Sequence, residues 1–255
     1  MSRPRIDFGQ AAADYGRHRP GFPDAFFDHV RRYGIGVDGQ RVLDVGTGTG
    51  TLARGFARRG CGAVGIDPSP EMLAQAAKLA RVERVSVDYV RAWAEATGLA
   101  DGCGDVVCAG QCWHWFDRPR AAAEANRLLR PGGFVLIAYF TYLSEPGTVG
   151  AVTEELVLRH NPSWPLAGSD GRLPWFADDL TGQGLRHNDT FCFDLDVTMT
   201  HETWRGRLRA CNGIMTLPPD KIAAFDHDLA ELLSRDYPNP VEVPHRVFGI
   251  VAQKR

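Results

Sequence analysis

The stretch RVLDVGTGTGTLARGF, residues 41–56, sets a short apolar run ahead of three glycines at alternate positions, Gly46, Gly48 and Gly50. An apolar-periodic segment follows them. That is the order strand, tight turn, helix, with side chains removed where the backbone would approach a ligand. The alternation continues outward. GAVGID reads as a second strand ending in an acid, SPEMLAQAAKLAR as a helix, and VSVDYVRAWAE as a third strand running into a loop. GDVVCAG is a fourth strand, PRAAAEANRLLR the helix behind it, Pro131-Gly132-Gly133 a break, and FVLIAYF, 134–140, a fifth strand. Strands alternating with helices imply a parallel sheet covered on both faces, with ligands bound outside the carboxyl ends of its strands. Ahead of this pattern, PDAFFDHVRRYG predicts an amphipathic helix. Beyond Tyr142, DTFCFDLDVTMT alternates as a strand, HETWRGRLRACNG and PDKIAAFDHDLAELLSRDY read as helices, and HRVFGIVAQKR as a closing strand.

The bulk numbers agree with a globular domain: 255 residues, 44% hydrophobic, 24% charged and a formal net charge of −2. Such a charge gives no pull toward nucleic acid or an anionic membrane. Six cysteines form no CxxC pair, and Cys103, Cys108, Cys112 and His114 are too irregularly spaced to predict a metal site. The opening MSRPRIDFGQ lacks an apolar core behind its charges, and FVLIAYF is too short to span a bilayer. The expectation is a reduced, cytoplasmic enzyme with no metal, no nucleic-acid partner and no membrane partner; the oligomeric state stays open.

Three ligand classes use a glycine turn behind a first strand. A phosphate-binding P-loop needs Lys followed by Ser or Thr after its last glycine, whereas Gly50 is followed by Thr51-Leu52. A dinucleotide turn is spaced GxGxxG, whereas this one is GxGxG with Thr at 51. Asp44, two residues before the first glycine, would repel a pyrophosphate but suits a ligand bearing an ammonium and a sulfonium. S-adenosylmethionine (SAM) carries both. Asp67, ending the second strand, can accept hydrogen bonds from ribose hydroxyls, a role shared by SAM and NAD enzymes. It is also placed to cap the following helix.

VLDVGTGTG (42–50), VGIDPSPEML (64–73), AWAEATGL (92–99), GDVVCAGQCWHWF (104–116) and RLLRPGG (127–133) together resemble the class I SAM-dependent methyltransferases. AADYGRHRPGFP, WHWF and TWRGRLRACNG are similar, more narrowly, to the small-molecule branch that includes trans-aconitate methyltransferases. The resemblance implies a Rossmann-like, seven-stranded, mostly parallel α/β sheet with helices on both faces, an antiparallel final strand and a lid or cap. By position it implies that Asp44, Gly46, Thr47 and Gly48 serve the methionine end and Asp67 the ribose. Pro68 and Met72 would wall the adenine, with Ala94 and Glu95 bordering its amino group. Ala109 and Gln111 would lie near the sulfonium. Tyr15 and Arg19 are candidate lid residues, Arg19 for the methionine carboxylate. Thr47 departs from the Cys common there, a small change because the loop's backbone does the binding.

The corresponding domain reading is an N-terminal lid segment at 1–38, a SAM-binding core at 39–143, a cap at 144–190, and C-terminal elements at 191–255 completing the acceptor site. For the acceptor, Trp113 and Trp115 are candidates for an apolar wall, and His114 for a general base should the acceptor have to lose a proton. Trp204 lies on a predicted helix with Arg205 and Arg209, whose i, i+4 spacing fits either a carboxylate-bearing acceptor or a solvated arginine face bridged to acids of the chain. A small-molecule carboxylic acid, a hydroxyl or amine of a natural product, and a non-catalytic SAM-binding module all remain open. So does an NAD-dependent oxidoreductase, against which the GxGxG spacing and Asp44 argue.

Overall fold

The structure, a computed structural model, describes residues 21–165, 167–211 and 213–255. They fall into two compact units of interleaved segments. Of the described residues, one holds 21–140, Leu173–Cys192 and Val247–Arg255; the other holds those of 141–172 and 193–246.

The first unit follows the strand–helix alternation. Helix α1 (Asp24–Arg31) precedes β1 (Arg41–Val45), α2 (Thr51–Ala57), β2 (Gly62–Asp67), α3 (Pro70–Val82), β3 (Val87–Arg91) and β4 (Gly104–Gly110). A single 3₁₀ turn, Trp113–Trp115, leads to α4 (Arg118–Leu128) and β5 (Leu129–Tyr142). Further on come α5 (Val149–His160), α6 (Phe176–Thr181), β6 (Arg186–Met199), α7 (His201–Arg209), α8 (Pro219–Asp236) and β7 (Val241–Gln253). The strands lie in one sheet, in the order β3-β2-β1-β4-β5-β7-β6.

Strand β1 pairs in parallel with β2 and β4, β2 with β3, and β4 with β5. The seventh strand runs the other way. Gly132 N donates to Lys254 O at 3.0 Å and Leu143 N to Pro244 O at 2.8 Å, so advancing along β5 means retreating along β7. The mostly parallel sheet with a reversed last strand is thus as the motifs imply. In β1 every residue after Arg41 is buried, because a parallel strand between helical layers has no solvent face. Leu43, Val45, Val64, Ile66, Val107 and Ile137 pack against Ala121, Ala122 and Ala125 of α4. Those small alanines let the helix approach the sheet closely.

Local chemistry sets the helix starts. Ser69 Oγ accepts from Met72 N at 3.3 Å, and Pro70 occupies the first turn of α3, where its missing N–H costs nothing. The cap of α3 is therefore Ser69, not Asp67. Asp117 caps α4 in the same way. One boundary moves: β5 begins at Leu129 rather than Phe134. The Pro131-Gly132-Gly133 stretch is a bulge inside the strand, with a register shift against β4 between Gly104 and Val106. Gly132 N and Gly133 O bond to Lys254, which keeps the irregular stretch paired.

The second unit has its own core, in which Trp204, Phe225, Leu229 and Leu233 are buried with Tyr142, Leu156 and Val157. The segment 144–190, expected as one cap, is divided: residues to Arg172 belong here, while Leu173–Cys192 belong with the first unit. Among the described residues no helix is long and apolar enough to cross a membrane.

Candidate active site

The tips of β1 and β2 carry two acids on the same side of the sheet. Register makes this so: Asp44 stands beside Gly65 on β2 and Cys108 on β4, and Asp67 lies two residues beyond Gly65. Asp44 is 2% exposed. Its Oδ2 accepts from Thr47 Oγ1 at 2.6 Å and Ala53 N at 3.1 Å, and its Oδ1 from Cys108 Sγ at 3.6 Å. Burial pushes its carboxyl up to about 6, against the pull of the Thr47, Ala53 and Cys108 hydrogen bonds. Asp67 accepts from Gly48 N and Ser69 N, both at 2.9 Å, and burial outweighs these bonds so that its carboxyl too is raised.

The glycine loop is held between those acids. Thr47 N donates to Ile66 O at 3.0 Å, tying the loop to β2. Gly46 and Gly48 have φ of +66° and +54°, the left-handed region that side chains resist. Their surroundings differ. A Cβ on Gly46 would stand 2.8 Å from both Cys112 Sγ and Phe116 Cζ, whereas one on Gly48 would meet nothing within 4 Å among the described residues. Gly46 is a packing requirement; Gly48 turns a bare backbone edge toward open space beside Asp67. The cradle therefore offers two carboxylates and an uncovered peptide edge, which fits the cationic and ribose ends of SAM.

Met72 is 4% exposed and Pro68 half-buried beside it in the chain; Ala94 lies in the core. Glu95 Oε1 accepts from Asp117 N at 2.8 Å, tying the loop after β3 to the start of α4. Ala109 is buried in β4, and Gln111 just past it has φ +59°, an uncommon conformation for a side-chain-bearing residue, with its N bonded to Ala138 O at 2.8 Å. Tyr15 and Arg19 lie outside the described residues.

The WHWF turn separates into inward and outward residues. Trp113 is fully buried, and its Nε1 donates to Asp179 Oδ2 of α6 at 3.0 Å. It anchors the turn to α6 rather than lining an open wall, because the 3₁₀ turn points 113 and 116 inward. Trp115, by contrast, is 38% exposed. His114 Nδ1 lies 2.9 Å from Tyr139 Oη on β5, a partner the motif gave no reason to expect.

In the second unit, Trp204 is fully buried, with Nε1 donating to Thr153 Oγ1 at 3.1 Å. Arg205 Nε and Arg209 Nη1 donate to Asp226 Oδ1 at 3.1 and 2.6 Å, and Arg209 Nη2 to Glu202 Oε1 at 2.9 Å. Burial pushes the Asp226 carboxyl up, but the two arginines outweigh it and hold the group below its ordinary value. The guanidinium pair does share one face, as its spacing implies, yet that face is paired internally with Asp226 and Glu202. This corrects the expectation of an open pair: α8 supplies the carboxylate that α7's arginines meet.

Residues 43–137, from the first strand tip into the fifth strand, match the family model described as a methyltransferase domain. Over those residues the chain is similar to methyltransferase domains. It is 38% identical over 128 residues to an uncharacterized methyltransferase of Mycobacterium bovis, covering 50% of this chain and 49% of that one. It is 32% identical over 127 residues to the ubiquinone biosynthesis O-methyltransferase of Rhizobium johnstonii, covering 49% and 51%. The matched stretch thus spans about half the length of these curated relatives. Among solved structures, the Haemonchus contortus phosphoethanolamine N-methyltransferase 2, in complex with phosphomonomethylethanolamine and S-adenosylhomocysteine, shares the fold. Its TM-score is 0.57 at 20% identity, over 96% of this chain and 57% of that chain. The glycine loop, both strand-tip acids and the WHWF turn fall inside the matched residues.

Proposed function

We propose that the protein transfers a methyl group from SAM to a small-molecule acceptor in the cytoplasm, with the cofactor held by Asp44, Gly46, Thr47, Gly48 and Asp67. One observation carries this reading: Gly48, bare on its open side, donates its N–H to Asp67, so the peptide edge and the ribose-binding acid form one surface. SAM supplies a methyl carbon already activated by its sulfonium, so alignment and exclusion of water are most of what a protein must add. Asp67 retains lone pairs for ribose hydroxyls after bonding Gly48 and Ser69. Asp44, kept dry among Thr47, Ala53 and Cys108, offers negative charge to the methionine end, partly through water. Pro68, Met72, Ala94 and Glu95 border the adenine, and Ala109 and Gln111 the reacting sulfur, with Tyr15 and Arg19 as lid residues. The likeness to the trans-aconitate branch favours a carboxylic acid acceptor, and the O-methyltransferase among the relatives favours oxygen as the reacting atom.

The test is calorimetric titration with SAM and S-adenosylhomocysteine (SAH), with NAD as control. Both adenosyl ligands should bind and NAD should not. Asp67→Ala should abolish that binding with the fold intact by circular dichroism, since two charge-assisted hydrogen bonds are worth about 3–6 kcal/mol. Micromolar-range affinity retained in the variant would remove Asp67 from the ribose, and NAD binding alone would revive the oxidoreductase.

A further inference from the structure

Arg54 lies in the middle of α2, yet it is 7% exposed and its side chain runs back to the start of its own helix. Its Nη1 donates to Thr49 O, and its Nε to Glu83 Oε1 at 2.9 Å. Glu83 ends α3, and its other oxygen, Oε2, pairs with Arg58. Helix formation calls for neither placement. A cation is disfavoured toward the positive, N-terminal end of a helix, and a carboxylate at the negative, C-terminal end. Burying a guanidinium costs more still, and only its partners offset that cost. What the pair does hold is the glycine loop.

The loop needs holding. Gly46, Gly48 and Gly50 have φ of +66°, +54° and +80°, a region that glycine reaches without being confined to it. Hydrogen bonds must therefore select the shape. On one side Gly48 N is fixed by Asp67. On the other, the Thr49–Gly50 peptide is fixed at both ends: Gly50 N donates to Thr47 O at 2.8 Å, and Thr49 O accepts from Arg54. A peptide unit is planar, so setting those two atoms sets the plane that follows the bare edge at Gly48. Arg54 fixes the next carbonyl too, its own N donating to Gly50 O at 2.9 Å. The guanidinium fits because Gly50 has no side chain: a Cβ there would stand 3.3 Å from Nη1 and 3.1 Å from Tyr89 Oη. That hydroxyl is buried and has no hydrogen-bond partner among the described residues, so it packs beneath the loop without bonding it.

We infer that Arg54 is a positioning residue of the cofactor cradle, holding the glycine loop in its ligand-binding shape through Thr49 O, with Glu83 fixing the guanidinium. The inference rests on the reading of this loop as the SAM site, and adds a residue that acts through the backbone rather than on the cofactor. Without Arg54 the loop samples other shapes, and a ligand must itself order it before binding.

The experiment is calorimetry with SAH on the full chain, beside hydrogen exchange of the ligand-free and SAH-bound protein. Arg54→Met should weaken SAH binding about tenfold, and Arg54→Lys, whose unforked head reaches only one of Thr49 O and Glu83, about threefold. In ligand-free Arg54→Met, exchange should quicken at residues 47–54 alone, and saturating SAH should slow it again. A merely structural arginine would loosen α2, β2 and α3 alike. Two controls remove neighbouring groups that do not bond the loop: Arg58→Ala takes away the other partner of Glu83, and Tyr89→Phe the unbonded hydroxyl. Both should bind SAH as the unaltered protein does. An equal loss in either control overturns the inference, as does exchange that quickens throughout the sheet. Should Arg54→Met fail to fold, Arg54→Lys decides by the same measures. No SAH binding by the unaltered protein strikes the cofactor reading and this inference together; binding that the Arg54 variants leave unchanged strikes this inference alone.

Discussion

Asp44 links the fold to the cofactor through pH. Its carboxyl, ordinarily near 3.8, is raised to about 6 because it is buried. In the ligand-free protein the folded state therefore holds this proton more tightly than the unfolded chain does. The sign follows: its contribution to stability is fully present below pH 3.8 and is lost as pH rises through about 6. Two pH units at 1.36 kcal/mol each put the cost of keeping Asp44 ionised at roughly 3 kcal/mol. A ligand that places an ammonium or sulfonium near Asp44 offsets that cost, and only where the group is ionised. SAM affinity should thus be flat above about pH 7 and weaken on acidification, by roughly tenfold at pH 5 and at most about a hundredfold below it. Calorimetry with SAM and SAH from pH 5 to 8 reads this directly, and Asp44→Asn should flatten the profile while lowering affinity at pH 8. The stabilising shift in melting temperature on adding SAH should likewise be larger at pH 7.5 than at pH 5. A wild-type profile flat from pH 5 to 8, or one unchanged in Asp44→Asn, would refute a role for Asp44 beside the cationic end.

The two glycines separate stability from binding. Gly46→Ala forces a Cβ to 2.8 Å from Cys112 Sγ and Phe116 Cζ, and left-handed strain plus overpacking should cost roughly 2–4 kcal/mol, seen as a lower melting temperature. Gly48→Ala meets no atom of the described residues, so it should cost about 1 kcal/mol of stability yet weaken SAH binding well beyond that; equal losses in both variants would contradict the open-edge assignment. Replacing Arg205 and Arg209 together with Ala should lower stability by roughly 1 kcal/mol, because the half-buried Asp226 loses both partners but keeps access to water, at unchanged SAH affinity. An acceptor Michaelis constant that rises while the melting temperature holds would return those arginines to the acceptor site.

What the sequence made legible follows the distance over which each feature is specified. The glycine loop and the acids at two strand tips are written within a few residues, because a left-handed turn needs its residue type at that position; the cap, read at Asp67, falls two residues on at Ser69. The parallel sense of the first five strands also follows from local pattern, since each βα unit must return the chain parallel and cover the sheet. The side-chain partners do not. Arg205 and Arg209 read as a ligand-binding pair only while Asp226, 17 residues beyond Arg209, stays out of view. Trp113 reads as a cleft wall until Asp179, 66 residues on, takes its indole N–H. Tyr139 had the weakest signal of all: within FVLIAYF it is one more apolar strand residue, and only the β4–β5 register carries its hydroxyl to His114.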